Sequence, residues 1–276
     1  MPFGSSQIFL VFFTFALLGA QSSADVKKDD VFFGASQGCF LLYNMKTGKF
    51  DQVIGEENCK VRHSPCSTFK VPLAVMAFDS GILKDEMQIL KWDGVKDSRE
   101  VANKDHDARS WMKDSIVWFS QRLTPLMGKE KFQSYVDKFE YGNKDLSAGI
   151  KESWLVSPAA DGPALKISGY EQIEFMKKLW TGKLPSSPRA TKLTQEITFL
   201  EMTPKGYSFS GKTGSNSYGK NSKKALGWFI SHIQKGDEEY LTAGNFLDVK
   251  PAESTDPGGF RMKEITKQIL IQKGLW

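Results

Sequence analysis

The chain is poor in the residues that build metal centres. Its three histidines, His63, His106 and His232, lie far apart and form no H-x-H or H-x-x-x-H pair, so the spacing indicates no zinc site. Three cysteines are too few for a disulfide scaffold. Export would permit one bridge: Cys39 and Cys59 flank a predicted hairpin and can meet, leaving Cys66 alone, while three buried thiols is the competing reading. Internal repeats and low-complexity tracts are absent. No block of one charge stands out either, because 37 Lys and Arg against 32 Asp and Glu leave +5, scattered along the chain. The densest basic spot, K-N-S-K-K at 220–224, reads as a solvated turn, which excludes a nucleic-acid footprint.

No apolar run is long enough to span a bilayer as a helix. Residues 8–18 (I-F-L-V-F-F-T-F-A-L-L) are the most apolar, and they lead into a small-residue stretch ending at Ser22-Ser23-Ala24. This reads as a secretory signal peptide over residues 1–24, although residues 2–7 carry no Lys or Arg. No cysteine follows the run, so no lipid anchor is indicated. Cleavage after Ala24 leaves 252 residues, enough for a sizeable core.

The mature chain begins with strand-like runs at 39–43 and 50–54, joined by N-M-K-T-G-K, a turn in which Gly48 can take positive φ. Residues 67–80 predict a helix that stops at Gly81 and is apolar on every side, hence buried. From about 82 to 180 the pattern reads as mostly helical, with helices starting in S-W-M-K-D-S-I-V-W-F-S-Q-R-L at 110–123 and covering 129–139 and 170–180. L-P-S-S-P-R at 184–189 reads as a break, followed by strands at 207–212, 225–231 and 240–246 and a closing helix at 259–271. Strands from both ends can share one antiparallel sheet while the helical middle forms its own lobe.

Ser67 and Lys70 stand at the mouth of the buried helix, three residues apart and therefore on one face. Helix-start N–H groups can stabilise an oxyanion. Apolar surroundings disfavour the charged lysine, and a neutral lysine can take the proton of a serine nucleophile. The S-x-x-K pattern alone is near chance, since it recurs at Ser110–Lys113 and Ser217–Lys220, and K-T-G occurs both at 46–48, in the hairpin turn, and at 212–214, on a late strand. The order is more specific: S-T-F-K on a buried helix, then Ser115-Ile116-Val117, then Lys212-Thr213-Gly214.

That arrangement resembles the serine penicillin-recognising enzymes and, among them, the class D β-lactamases. The matching stretches are P-C-S-T-F-K at 65–70, S-I-V at 115–117, Y-G-N at 141–143, Trp154 and K-T-G at 212–214. Further similar stretches are K-W-D-G at 91–94, G-W at 227–228 and Arg261; Ser231 departs, where the family often has glycine. The resemblance implies an α+β fold of the β-lactamase and penicillin-binding transpeptidase type, an antiparallel sheet flanked by helices plus a helical lobe. One catalytic domain would cover 25–276, its sheet lobe formed by roughly 25–66 and 190–276 and its helical lobe by 67–189. Ser67 is implied as the acylated nucleophile and Lys70, carboxylated on Nζ by CO₂, as the general base. Ser115 is implied as a proton relay supported by Lys212, and Thr213 and Arg261 as ligands of the substrate carboxylate. Ser67 and Ser215 would supply oxyanion-hole N–H groups, Trp154 would donate to the lysine modification, and Val117 would keep the pocket dry. Taken singly, Ser115 is equally a helix cap, Trp154 packing and Arg261 a surface charge, and Cys66 reads as a packing residue.

The expected partners are small-molecule β-lactams, with no nucleic acid, metal or stable membrane anchor; a homodimer is compatible. The expected location is the periplasm. Two relatives in function compete. β-Lactam sensor domains acylate but barely turn over, and they hang from membrane-spanning segments. Cell-wall peptidases usually carry S-x-N where this chain has Ser115-Ile116-Val117.

Overall fold

A single helical turn, α1 (Asp30–Phe33), leads into the hairpin of β1 (Gln37–Asn44) and β2 (Lys49–Ile54). The computed structural model describes Met1, residues 30–160 and residues 162–276, so the expected signal peptide lies, Met1 apart, outside the described residues. The hairpin turn is local chemistry: the Asn44 side-chain oxygen accepts from the N–H groups of Lys46 and Thr47, and Gly48 has φ 69°. A short α2 (Glu56–Lys60) follows. It carries Cys59 to Cys39 on β1, and the two form a disulfide.

Alternation along β1 divides two cores. Phe40 and Leu42 pack on one face with Met262 and Ile269 of a C-terminal helix, while Cys39, Leu41 and Tyr43 pack on the other with the helical part of the chain. The complete sheet runs β2-β1-β6-β5-β4-β3, antiparallel throughout. The chain therefore enters the sheet, leaves for a helical excursion and returns.

That excursion begins with a 3₁₀ turn, Cys66–Phe69, which runs directly into α3 (Lys70–Asp79). The sequence pattern predicts one helix from 67; instead its first turn is tight. Pro72 has no N–H for the Thr68 carbonyl, so one α-type bond of that turn cannot form. Every residue from Lys70 to Phe78 is buried, as an apolar periphery on all sides requires.

Residues 84–107 differ from expectation. They are largely irregular, with one 3₁₀ turn at Glu100–Ala102. Aspartates are the cause: Asp85, Asp93 and Asp97 each accept from the backbone N–H two residues on, and such turns compete with a helix. The helix expected to run through 110–123 is two helices, α4 (Ala108–Asp114) and α5 (Val117–Met127), broken where Ser115 takes φ 56°. Next come α6 (Lys129–Lys138) and α7 (Gly169–Trp180), the latter started by a Ser168–Glu171 capping box.

L-P-S-S-P-R is a helix start rather than a linker. Ser187 caps α8 (Pro188–Ile197) with a proline at its first position, and α8 packs on α3. The edge strand β3 (Phe199–Met202) was not evident from the sequence. β4 (Ser208–Tyr218), β5 (Lys224–Lys235) and β6 (Glu238–Leu247) are each longer than their apolar runs, and α9 (Gly258–Gln272) closes over them.

The cysteine arrangement predicts a thiol count. In denaturant without reductant one thiol, that of Cys66, should react; with reductant, three should. Cys39→Ser should lower the unfolding free energy by about 3 kcal/mol, the expected effect of opening a loop of this size. Three reactive thiols in denaturant without reductant would show that the bridge does not form.

Candidate active site

The tight turn before α3 presents Ser67 from a strained backbone. Cys66, immediately before it, has φ 51°, a left-handed conformation that costs a non-glycine residue roughly 1–2 kcal/mol. The turn is fixed by the Thr68 N–H and hydroxyl, which both donate to the Pro65 carbonyl, and by Gln172 of α7, which donates to the Thr68 hydroxyl. The Cys66 thiol is pushed up to about 12 by burial, so it stays protonated near neutral pH.

Lys70 lies one turn on, 1 % exposed, and its Nζ is 3.2 Å from Ser67 Oγ. Burial holds its pKa well below the usual lysine value, and the charges of Lys212 and Arg99 lower it further. β4 brings Lys212 in from the other side. Its Nζ donates to Ser115 Oγ at 3.1 Å and to the Thr213 carbonyl at 3.1 Å. Lys212 is 4 % exposed, and burial, with Arg99 nearby, lowers its pKa to about 7. Among the described residues neither amine is paired with a carboxylate.

β4 can come this close because residue 214 has no side chain. A Cβ there would stand 2.8 Å from the Pro65 carbonyl oxygen and 3.2 Å from the Thr68 nitrogen. The glycine of K-T-G thus lets the strand's backbone lie against the turn that carries Ser67, with Ser215 the next residue along. Ser215 Oγ accepts from the Gly259 N–H at 2.8 Å, docking the start of α9 on the strand.

Trp154 is buried and stacks on Phe69, ring centroids 5.2 Å apart. Ser64 locates it: its hydroxyl donates to the Trp154 carbonyl at 2.7 Å, while the Ser64 carbonyl accepts from Trp228 Nε1 at 3.0 Å. Asn216 of β4 donates to the carbonyls of Leu155 and Val156, fastening the segment that follows. Val117 opens α5, two residues beyond Ser115.

Arg261 does not join the cluster through its hydrogen bonds. Its guanidinium makes two parallel bonds, 2.7 and 3.0 Å, to Asp248, a carboxylate only 2 % exposed. That carboxylate also accepts from Ser36 and the Ala225 N–H; burial alone would raise its pKa, but these partners hold it below the ordinary value. Arg261 itself is 21 % exposed, over the ring of Phe246.

The other motif copies have structural roles. Ser110 is part of the capping box of α4 with Asp107, Ser217 lies near the end of β4, and Lys46-Thr47-Gly48 is the hairpin turn. Y-G-N is a turn: Asn143 donates to the Ala164 carbonyl and accepts from the Lys166 N–H, and Gly142 has φ 57° with the Lys166 carbonyl where a Cβ would sit. Sequence reasoning missed Ser64, Asp248, Asn216 and Arg99, which act through long-range contacts and carry no local signature.

The chain matches the family described as penicillin binding protein transpeptidase domain over residues 38–270. It is 34 % identical to beta-lactamase OXA-1 of Escherichia coli over 242 residues, covering 85 % of each chain. It is 36 % identical to beta-lactamase OXA-9 of Klebsiella pneumoniae, covering 82 % of this chain and 84 % of that one. Among solved structures, class D beta-lactamase BAT-2 aligns with a TM-score of 0.78 at 31 % identity, over 92 % of this chain and 99 % of that one.

The buried amines predict how stability responds to pH. Lys212 has a folded pKa below its unfolded one. Between about 7 and the ordinary lysine value of roughly 10.4, the unfolded chain therefore binds more protons, and stability rises with pH by up to about 1.4 kcal/mol per unit from this residue. Below that window the benefit is absent, because both states are protonated. Denaturant titrations should show the gap between Lys212→Met and the parent moving in the parent's favour from pH 7 to 9. A constant gap would mean that Lys212 is not depressed in the folded state.

Proposed function

The chain belongs to the class D β-lactamases, serine hydrolases of the β-lactam ring, and from that premise we propose that Ser67 is its acylated nucleophile and that Lys70, carboxylated on Nζ by CO₂, is its general base. The observation that carries the reading is a buried amine 3.2 Å from Ser67 Oγ with no carboxylate partner among the described residues. Burial favours the neutral form of that amine, and only a neutral amine attacks CO₂. The residues present suit the product. An anion in a dry pocket needs donors; the Ser67 hydroxyl lies 3.2 Å from Nζ, and the Trp154 indole N–H would be the second donor. Carboxylated, Lys70 supplies an anionic oxygen base in place of a nitrogen one.

The proton of Ser67 leaves to this base as Oγ attacks the lactam carbonyl. The N–H groups of Ser67 and Ser215 receive the developing oxyanion. As the C–N bond breaks, the ring nitrogen takes a proton from the Ser115 hydroxyl, which is resupplied by Lys212; a pKa about 7 suits Lys212 to give and regain a proton near neutrality. The base passes the proton it took from Ser67 on to Lys212, which had given one up; water then attacks the ester, its proton goes to the freed base, and the base hands that proton to Ser67 Oγ as it leaves. Thr213 and Arg261 bind the substrate carboxylate, with Asp248 fixing the plane of the guanidinium. Val117 shields the base from bulk water. Such an enzyme, exported to the periplasm, confers resistance to penicillin-type antibiotics. Among the described residues no helix is long and apolar enough to cross a membrane.

Two measurements test the reading. Mass spectrometry after mixing with a slowly hydrolysed β-lactam should find one adduct, on the Ser67 peptide, and none in Ser67→Ala; an adduct at Ser110 or Ser217 would move the nucleophile. Turnover should fall in degassed, mildly acidic buffer, where the released amine is trapped by protonation, and bicarbonate should restore it. Turnover indifferent to CO₂ at every pH, with no carbamate signal by ¹³C NMR, would leave Lys70 a plain amine base.

A further inference from the structure

Ser115 must hold its hydroxyl toward Lys212 from a backbone conformation that its residue type disfavours. Its φ of 56° follows directly on the end of α4. Two N–H groups, those of Ser115 and Ile116, converge on the Trp111 carbonyl from inside the break. On the outside stands Arg99, whose Nη1 donates to the Asp114 carbonyl at 3.2 Å and whose Nη2 donates to the Ser115 carbonyl at 3.3 Å. Carbonyls at a helix end have no partner within the helix, and a cation there is favoured by the helix dipole.

Arg99 is itself held in place. Its N–H donates to Asp97 Oδ1 at 2.8 Å, and Asn103 brackets Asp97 with bonds of 2.7 and 3.0 Å. The same carboxylate lies 3.7 Å from Arg99 Nε. The side chain is 43 % exposed, so hydrophobic packing does not account for its orientation. Its charge is felt by both Lys70 and Lys212, which puts it beside the cluster.

We propose that Arg99 is a positioning residue for the reaction: its guanidinium grips the Asp114 and Ser115 carbonyls and so holds the left-handed Ser115 with its hydroxyl against Lys212 Nζ. The inference rests on the relay role given to Ser115 above. Loss of the grip lets the backbone at Ser115 relax toward an ordinary conformation and turns the hydroxyl away. Substrate binding does not depend on that hydroxyl, so the effect belongs to the chemical step.

Four variants test it: Arg99→Ala, Arg99→Lys, Ser115→Ala and the Arg99→Ala/Ser115→Ala double, each assayed for acylation rate, kcat and KM on a penicillin, with Tm recorded. Arg99→Ala should slow acylation and kcat roughly tenfold with KM within about twofold, as expected when a reacting group is misplaced. Arg99→Lys should recover most of the loss, since an ammonium can donate to both carbonyls. In the Ser115→Ala background, removing Arg99 should cost nothing further. An unchanged acylation rate in Arg99→Ala, or an equal loss in the Ser115→Ala background, would each overturn the proposal. If Ser115→Ala itself acylates at the parental rate, the relay role fails and this inference falls with it. If Ser115→Ala is impaired while Arg99→Ala is not, the relay stands and Arg99 alone is removed.

Discussion

The burial of Lys70, with no carboxylate beside it among the described residues, is the constraint on which the rest of the site depends. An isolated ammonium in an apolar interior is far costlier than a neutral amine, so the fold must deliver a dry pocket on every side. α3 supplies its buried length, Phe69 and Trp154 stack over the turn, and β4 closes the remaining side with its own lysine. A carboxylate beside Lys70 would remove the tension and with it the proposed chemistry, because a paired lysine stays protonated and cannot attack CO₂.

Two left-handed residues, Cys66 and Ser115, border the cluster. Neither is glycine, although glycine would adopt the conformation without penalty. At 115 the reason is chemical: glycine has no hydroxyl for Lys212 to reach. At 66 the thiol is buried and weakly bonded to the Ser64 carbonyl, so the side chain fills space while the backbone aims Ser67. Strain of this kind persists where the surroundings over-determine it, and both sites are held by local backbone bonds and by side chains from distant parts of the chain, Gln172 at the first and Arg99 and Lys212 at the second.

How much was legible follows from how local each feature is. The hairpin could be read because Asn44 and Gly48 make its turn between themselves. The buried helix could be read from an unbroken apolar run. The break at Ser115 could not, since all the residues around it tolerate a helix and the kink is imposed by Trp111, Arg99 and Lys212. The stretch at 84–107 misled because its scattered charges suit a solvated helix, whereas its aspartates bond to their own backbone. α8 was hidden by two prolines, one of which sits where a helix tolerates it. In the site, the spacing of Ser67 and Lys70 is a local fact. Arg261 had a family match, but its partner Asp248 stands 13 positions earlier, across the irregular stretch before α9, with nothing in the sequence to pair them.

The same strand that provides Lys212 also governs the opposite wall, and this couples the parts of the site mechanically. Gly214 lets β4 touch the Ser67 turn, Ser215 docks α9, and Asn216 fastens the segment after Trp154. Three successive residues therefore set the distance from the strand to the Ser67 turn, to the helix that bears Arg261 and to the segment that follows Trp154. Inserting or deleting one residue in β4 would flip the alternation along the strand. The lysine would then leave the pocket at the same moment that the glycine left the contact with Pro65. The site's geometry is thus a property of strand register, and that register is fixed by pairing β4 with β5 through eleven consecutive positions, from Ser208 opposite Gln234 to Tyr218 opposite Lys224.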